Sequence, residues 1–199
     1  LSTLRGLGSV HSVGKDVVIS SNSALESLEG LKGLELLGGS LTIKANVNLL
    51  NLQGLESLKG LGGSLTVKDN AKLSTLRGLD SVRNVDKDVV ISSNRALESL
   101  DGLQGLDGLG GSLTIEDNAN LSTLQGLDFV ESVGEDVVIS SNCALESLGG
   151  MRRLKGLEGS LTIKDNANLR KIQGLESLQG LRGSLTITDN AKLSTLRGL

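Results

Sequence analysis

The apolar residues of this chain follow one pattern that recurs every 24 residues without insertion or deletion. Each unit begins with an alternating segment such as Leu-Thr-Val at 65–67, which is typical of a half-buried β-strand. Apolar residues then come at every third position, as at Leu73, Leu76 and Leu79. This spacing does not sustain the 3.6-residue period of an α-helix, so it predicts an extended or 3₁₀-like arc. We expect seven inward apolar side chains per unit, two from the strand and five from the arc.

A unit of this length cannot enclose a hydrophobic core alone, so neighbouring units must stack on each other. The sequence therefore predicts a β-rich solenoid of about eight 24-residue coils, without large helices, in which residues 1–199 form one continuous domain. The chain begins and ends inside a unit and shows no polar capping unit at either end, which solenoids normally need. We expect it to be a fragment of a longer chain.

A glycine column is the first regular feature of the units. Numbering each unit from the residue before its strand, so that Asp16 and Ser40 both stand at position 1, places glycine at every position 15. Such regularity predicts a corner that needs a positive φ or a close backbone approach. The column comprises Gly6, Gly30, Gly54, Gly78, Gly102, Gly126, Gly150, Gly174 and Gly198.

An asparagine column is the second regular feature, at position 7 after each strand. The asparagine amide both donates and accepts hydrogen bonds, so a stacked column can satisfy the turn backbone of adjacent coils. We therefore predict an inward structural ladder. Its members are Asn22, Asn46, Asn70, Asn94, Asn118, Asn142, Asn166 and Asn190.

Composition narrows the classes of partner. The formal net charge is −3 with both signs interspersed, and Phe129 is the single aromatic residue. A basic field for nucleic acid or an anionic membrane is therefore missing, as is an aromatic platform for stacking bases or sugars. Cys143 is alone, so it cannot form an intrachain disulfide. We expect no nucleic-acid partner and no direct membrane insertion in this segment.

Residues suited to catalysis or metal binding are sparse. His11 is the only histidine and stands where other units carry polar or charged residues, so we interpret it as a solvated side chain. Cys143 has no histidine nearby to activate its thiol. Aspartates precede the asparagines at 69, 117, 165 and 189, but calcium needs several carboxylates on one loop. Serines interrupt this column, which we interpret as relief of like-charge stacking. We predict a protein that is not an enzyme, with no catalytic residues, no cofactor and no metal site.

The units resemble leucine-rich repeats. The segment Leu-Thr-Ile-Lys-Asp-Asn-Ala-Asn-Leu at 161–169 carries the resemblance. The longer pattern GSLTI…N…L..L.GL is similar to the receptor L-domain variant of these repeats. That resemblance implies a right-handed, β-helix-like solenoid of a surface or extracellular protein, which binds partners on its strand-bearing face. The corresponding outward residues are Val18, Thr42, Thr66, Val90, Thr114, Val138, Thr162 and Thr186.

Three functions fit this pattern. The first is a non-catalytic repeat scaffold or recognition module, which binds protein partners through the outward strand face. The second is a structural rod that self-associates end to end. The third is an ice-binding solenoid that uses the Thr/Val row, although neighbours on the same face, such as Asp16, Lys44 and Glu116, hold their own hydration and disfavour a match to a water lattice. Phe129 stands where other units have serine or glycine, so we expect its ring to point outward.

Overall fold

The chain winds into a β-solenoid of about seven turns, each of about 24 residues. The structure is a computed structural model, and it describes residues 3–197. Two parallel sheets of eight strands run along its length, and successive strands of each sheet are one coil apart in sequence. No α-helix occurs in these residues. The predicted solenoid with 24-residue coils is therefore confirmed, while Gly198 of the glycine column lies outside the described residues.

Every coil contributes one four-residue strand and one two-residue strand. The four-residue strands form the long-strand sheet and are Val17–Ser20, Leu41–Lys44, Leu65–Lys68, Val89–Ser92, Leu113–Glu116, Val137–Ser140, Leu161–Lys164 and Leu185–Thr188. The two-residue strands form the short-strand sheet and are Ser12–Val13, Leu36–Leu37, Gly60–Leu61, Asn84–Val85, Gly108–Leu109, Ser132–Val133, Gly156–Leu157 and Gly180–Leu181.

The core is a single column of aliphatic side chains enclosed by the coils. Residues 24 apart are directly paired in both sheets, so each leucine packs on its counterpart in the next coil. The predicted seven inward side chains per coil are found, as in the coil that buries Leu41, Ile43, Leu49, Leu52, Leu55, Leu58 and Leu61. Each such burial is worth roughly 1.5–3 kcal/mol, so stability accumulates over several coils.

The asparagine column forms the predicted inward ladder. The Oδ1 atom of Asn46 accepts the backbone N–H of Asn22 at 3.0 Å, and its Nδ2 atom donates to the carbonyl of Ile19 at 2.8 Å. Its own backbone N–H donates to Oδ1 of Asn70 at 3.0 Å. This pattern repeats from coil to coil, so each side chain satisfies two backbone groups of the preceding coil. The six asparagines from Asn46 to Asn166 are fully buried, whereas Asn22 and Asn190 are partly exposed.

A second ladder, at position 1, was not predicted from the sequence. There a serine or aspartate oxygen accepts the backbone N–H of the position 1 residue in an adjacent coil, as when Asp16 Oδ1 accepts from Ser40 at 2.7 Å. Ser40 Oγ accepts from Ser64 at 3.0 Å in the same way. Aspartate and serine are interchangeable here because the site requires only an acceptor oxygen at the end of a short side chain.

The glycine column marks a corner where adjacent coils approach closely. A Cβ atom at Gly78 would collide with the carbonyl group of Leu52 in the preceding coil. Gly78 also has a φ of +117°, a conformation that other residues rarely adopt. Both reasons for glycine that the sequence suggested are therefore found at this position.

The residue two positions after this glycine decides the form of the corner. Where position 17 is an acceptor such as Asp80, the glycine has a positive φ and its N–H donates to that side chain, at 2.8 Å from Gly78 to Asp80. Where position 17 is Gly8, Lys32 or Arg152, the corner is instead a 3₁₀ turn. The three turns are Arg5–Leu7, Glu29–Leu31 and Gly149–Met151.

The two corner forms also differ in bonding between coils. At four of the five described positive-φ corners the residue before the glycine turns its carbonyl to the preceding coil, as when the N–H of Leu52 donates to Arg77 at 3.1 Å. The corner at Gly174 lacks this bond. The carbonyls of Glu29 and Gly149, in described 3₁₀ corners, accept no such bond. At those four corners, the position 17 side chain is accompanied by two hydrogen bonds, one to the glycine N–H and one between coils at the peptide that precedes the glycine.

We predict that Asn118→Ala lowers the free energy of unfolding by about 3 kcal/mol, because it leaves the N–H of Asn94 and the carbonyl of Ile91 buried without their partners. Urea unfolding followed by circular dichroism measures the change. Asn120→Ala is the matched control, since Asn120 is exposed in the same loop, and it should change stability by less than about 0.5 kcal/mol. Equal effects would refute the ladder.

We predict that Gly78→Ala destabilises the solenoid by at least about 2 kcal/mol, because the methyl group meets the Leu52 carbonyl and the backbone is held at positive φ. Gly6→Ala provides the comparison at the same position of another coil. No atom lies within 4 Å of its added Cβ and its corner is a 3₁₀ turn. Thermal unfolding should therefore show a large loss only for Gly78→Ala.

We predict that exchanging the position 17 residue exchanges the corner form. Lys32→Asp supplies an acceptor to Gly30, so its corner should adopt a positive φ and stability should rise by about 1 kcal/mol. Asp80→Lys should produce the opposite changes at Gly78. The φ angles follow from NMR couplings and chemical shifts, and unchanged angles in both variants would show that another contact sets the corner.

Candidate recognition face

The outer face of the long-strand sheet carries the candidate residues that the sequence identified. Position 3 of each unit points outward between inward positions 2 and 4, as the alternating burial of Leu41–Lys44 shows. Each position 3 residue is paired in register with the next, so Thr42 lies between Val18 and Thr66. All eight residues from Val18 to Thr186 therefore form one row along the solenoid. This geometry places them together, and their role in binding remains a prediction.

The row is half-buried over most of its length. The six residues from Thr42 to Thr162 are each partly covered by their neighbours, whereas Val18 is 63% exposed and Thr186 is also exposed. Adjacent strands in a sheet lie roughly 4.8 Å apart, so the row spans about 34 Å. The result is a shallow surface of hydroxyl and methyl groups without a deep cleft.

Position 1 borders this row on one side, and most of its oxygens are engaged by backbone. Asp88 Oδ1 accepts the N–H of Ser112 at 3.0 Å, and Asp136 Oδ1 accepts that of Ser160 at 2.6 Å. These aspartates therefore use one carboxylate oxygen in bonding between coils as well as carrying a charge at the surface. Their carboxylates complete a hydrogen-bond ladder between coils, which leaves them less available to a ligand.

Position 5 borders the row on the other side and carries the charges that face solvent. Lysine occupies this column at Lys44, Lys68 and Lys164, Glu116 is its one acid, and the other members are serine or threonine. Ser140 is buried beside Glu116 and donates to its Oε1 atom at 3.2 Å. Ser92 lies in register between Lys68 and Glu116 and is only 4% exposed. In the described part of the chain, its Oγ atom has no hydrogen-bond partner.

The residues with side chains suited to catalysis or metal binding lie apart from one another. The ring of His11 is exposed, and its Nδ1 atom lies 3.1 Å from the carbonyl of Gly33. Cys143 is an exposed free thiol, about five coils further along the chain. Residues 3–197 contain no group of three or more His, Cys, Asp or Glu side chains placed to hold a metal ion. They also contain no helix with the length and apolar content needed to cross a membrane.

The aspartates that precede the asparagines have a conformational role that sequence reasoning missed. Position 6 adopts a left-handed backbone at every described coil, with φ between +55° and +59°. Aspartate is among the residues that tolerate this conformation, because its side chain bonds locally to backbone. The recurrence of Asp, Ser and Ala at this position was the available signal. Relief of like-charge repulsion is not needed to explain the interrupting serines, since all three residue types share the same turn.

The short-strand sheet presents a second outer face, which carries stacked charges. Lys59 Nζ lies 2.9 Å from Glu35 Oε2, and Lys155 Nζ lies 2.7 Å from Glu131 Oε2, each pair spanning adjacent coils. The hydrogen bond from Lys59, and then its charge, lower the pKa of Glu35, and Lys155 acts in the same way on the pKa of Glu131. These pairs are exposed, so each contributes little to stability.

Phe129 lies beside the short-strand face and is 43% exposed, as the sequence predicted. The guanidinium of Arg153, one coil later, stacks 4.5 Å from the centre of its ring. This contact explains how an aromatic side chain is accommodated on an otherwise polar surface.

Comparison with models of known protein families, with curated proteins and with solved structures finds no match for this chain.

Proposed function

We propose that this solenoid is a non-catalytic scaffold and recognition module of a larger surface or extracellular protein, and that it binds a protein partner along the outer face of its long-strand sheet. The observation that carries the proposal is the in-register row of β-branched residues from Val18 to Thr186. The resemblance to leucine-rich and receptor L-domain repeats supports the choice of this face, because in those proteins partners bind on the strand-bearing side.

The chemistry of the row suits a shallow protein surface. Threonine offers a methyl group and a hydroxyl group at the same position, so the row can make apolar contacts and hydrogen bonds at once. Its members are held by buried strands, so little conformational entropy is lost on binding. Repetition every coil lets weak contacts add along an elongated partner.

Two lysines beside the row can contact acidic groups of a partner. Each position 1 aspartate uses one carboxylate oxygen to accept a backbone N–H group. At position 5, Lys164 pairs with Asp165 at 3.4 Å, whereas Lys44 and Lys68 form no ion pair within the described residues. Lys44 and Lys68 occupy adjacent coils, and Lys164 lies five coils beyond Lys44.

We predict that the double variant Thr66→Arg with Thr114→Arg loses the partner while retaining the stability of the solenoid. Both residues point outward, so two bulky cations should disrupt a flush contact without reaching the core. Ala119→Arg is the matched control, because it is exposed on another face and the equivalent residue of the preceding coil is Arg95. A photo-cross-linking amino acid in place of Thr114 identifies the partner, and titration of the purified pair measures affinity.

Loss of affinity by tenfold or more in the double variant, with the control unchanged, is the expected result. Equal affinities for the wild type and both variants would exclude this face. The same variants separate the two alternative functions. Freezing hysteresis that falls in the double variant would indicate ice binding through the Thr/Val row, and length-dependent filaments insensitive to both substitutions would indicate an end-to-end rod.

A further inference from the structure

The outer face of the short-strand sheet is nearly flat and built from small residues. Position 21 is the outward residue of each short strand, since position 22 beside it is buried in the core. Four of its eight members are glycine, and the largest side chain is Leu36, which is 60% exposed. The members in order are Ser12, Leu36, Gly60, Asn84, Gly108, Ser132, Gly156 and Gly180.

Charged residues run beside this flat strip at position 20. Counting each pair of strand residues in one coil as a rung, the second to seventh rungs carry Glu35, Lys59, Arg83, Asp107, Glu131 and Lys155, and the two end rungs carry His11 and Gln179. Their signs are minus, plus, plus, minus, minus, plus. Read from the other end, every sign is reversed. A surface with this property is complementary to itself when a second copy is turned end over end.

We propose that two copies of this chain associate antiparallel through their short-strand faces, with the two-fold axis passing between the rungs of Arg83 and Asp107. An axis that lies in the interface and is perpendicular to the solenoid places each column opposite its own counterpart. Arg83 then faces Asp107 of the second copy, Lys59 faces its Glu131, and Glu35 faces its Lys155. These three contacts each occur twice.

The existing ion pairs extend naturally into this arrangement. Glu35 and Lys59 already pair within one copy, as do Glu131 and Lys155. Bringing the two pairs together makes a square of alternating charge, in which each group has two neighbours of opposite sign. Arg83 and Asp107 form no ion pair within the described residues, and the axis brings two copies of them into a central square. Networks of this kind are worth more than isolated surface pairs.

The steric pattern of position 21 agrees with the same register. Leu36 faces Gly156 of the second copy, and Asn84 faces its Gly108. Ser132 faces Gly60, and Ser12 faces Gly180, so each side chain meets a glycine. A shallow groove around Gly60 and Gly62 lies between Leu36 and Asn84, and the amide of Asn84 leans over Gly60. The shape of position 21 thus agrees with the alignment that the charges select.

Neighbouring registers are disfavoured by like charges. A shift of one rung in one direction brings Arg83 against Arg83 and Glu35 against Glu131, and in the other direction it brings Asp107 against Asp107. A shift of two rungs sets Lys59 against Arg83, or Asp107 against Glu131. Repulsive contacts in the wrong alignments are a recognised means of specifying one partner geometry.

The size of the face indicates a weak dimer. Eight rungs at about 4.8 Å and a width of two or three residues give roughly 400 Å² per copy, below the roughly 800 Å² per partner of standard stable complexes. We therefore expect dissociation at low micromolar concentration and further weakening by salt, since the contacts are exposed to solvent.

The first test exchanges the central charges. Sedimentation equilibrium at low ionic strength should show a monomer–dimer equilibrium for the wild-type chain. Arg83→Asp or Asp107→Arg alone places like charges across the axis and should weaken the dimer tenfold or more. The double variant R83D/D107R restores opposite charges and should recover the wild-type dissociation constant within about threefold. Arg95→Asp, on another face, is the control and should have no effect.

The second test fixes the register by cross-linking. In a Cys143→Ser background, Leu36→Cys combined with Gly156→Cys should form disulfides between two copies, because these positions face each other across the axis. Five rungs, about 24 Å, separate them within one chain, so they cannot bond internally. No atom lies within 4 Å of a Cβ built at Gly156, so this substitution should not disturb folding.

The pair Leu36→Cys with Gly108→Cys is the register control, since it meets only in an alignment shifted by two rungs. Cross-linking of the first pair and not of the second supports the proposal. A strictly monomeric wild type at millimolar concentration, a dimer that the charge variants do not weaken, or preferential cross-linking of the control pair would each overturn it.

Discussion

The fixed length of the coil is the constraint on which the rest of this structure depends. Because every unit has 24 residues, each residue stacks on the equivalent residue of the next coil, in register in both sheets. One inserted residue would shift strand pairing and turn the inward side chains of that coil toward solvent. Because of this register, the residues at any one position of the unit form a column along the solenoid. The core, the corners and the outer faces are each built from such columns.

Polar groups inside the solenoid are satisfied along those columns. Some backbone N–H and carbonyl groups at the ends of the long strands have no partner within the sheet. The asparagine and aspartate–serine ladders supply hydrogen bonds to these groups. Every buried member of the asparagine ladder is asparagine, a side chain that can both donate and accept. The position 1 ladder needs only an acceptor, which explains why aspartate and serine exchange freely there.

The two outer faces have different chemistry because they come from different parts of the coil. Four-residue strands expose a β-branched residue between two polar columns, which gives a broad face of hydroxyl and methyl groups. The two-residue strands expose small residues beside a column of mixed charge. Our proposals assign a foreign protein to the first face and a second copy to the other, so one solenoid can make both contacts at once.

The sequence by itself determined the coil length, the seven inward side chains, the asparagine ladder and the outward row from Val18 to Thr186, because all of these follow from periodicity. It did not reveal the position 1 ladder, the left-handed backbone at position 6 or the switch between corner forms at position 17. Three aspartates show this. Asp16 accepts a hydrogen bond from the next coil, Asp69 adopts a positive φ, and Asp80 accepts the N–H of a corner glycine. Only the tertiary structure separates these roles, because each depends on which backbone group of the same or an adjacent coil lies within reach.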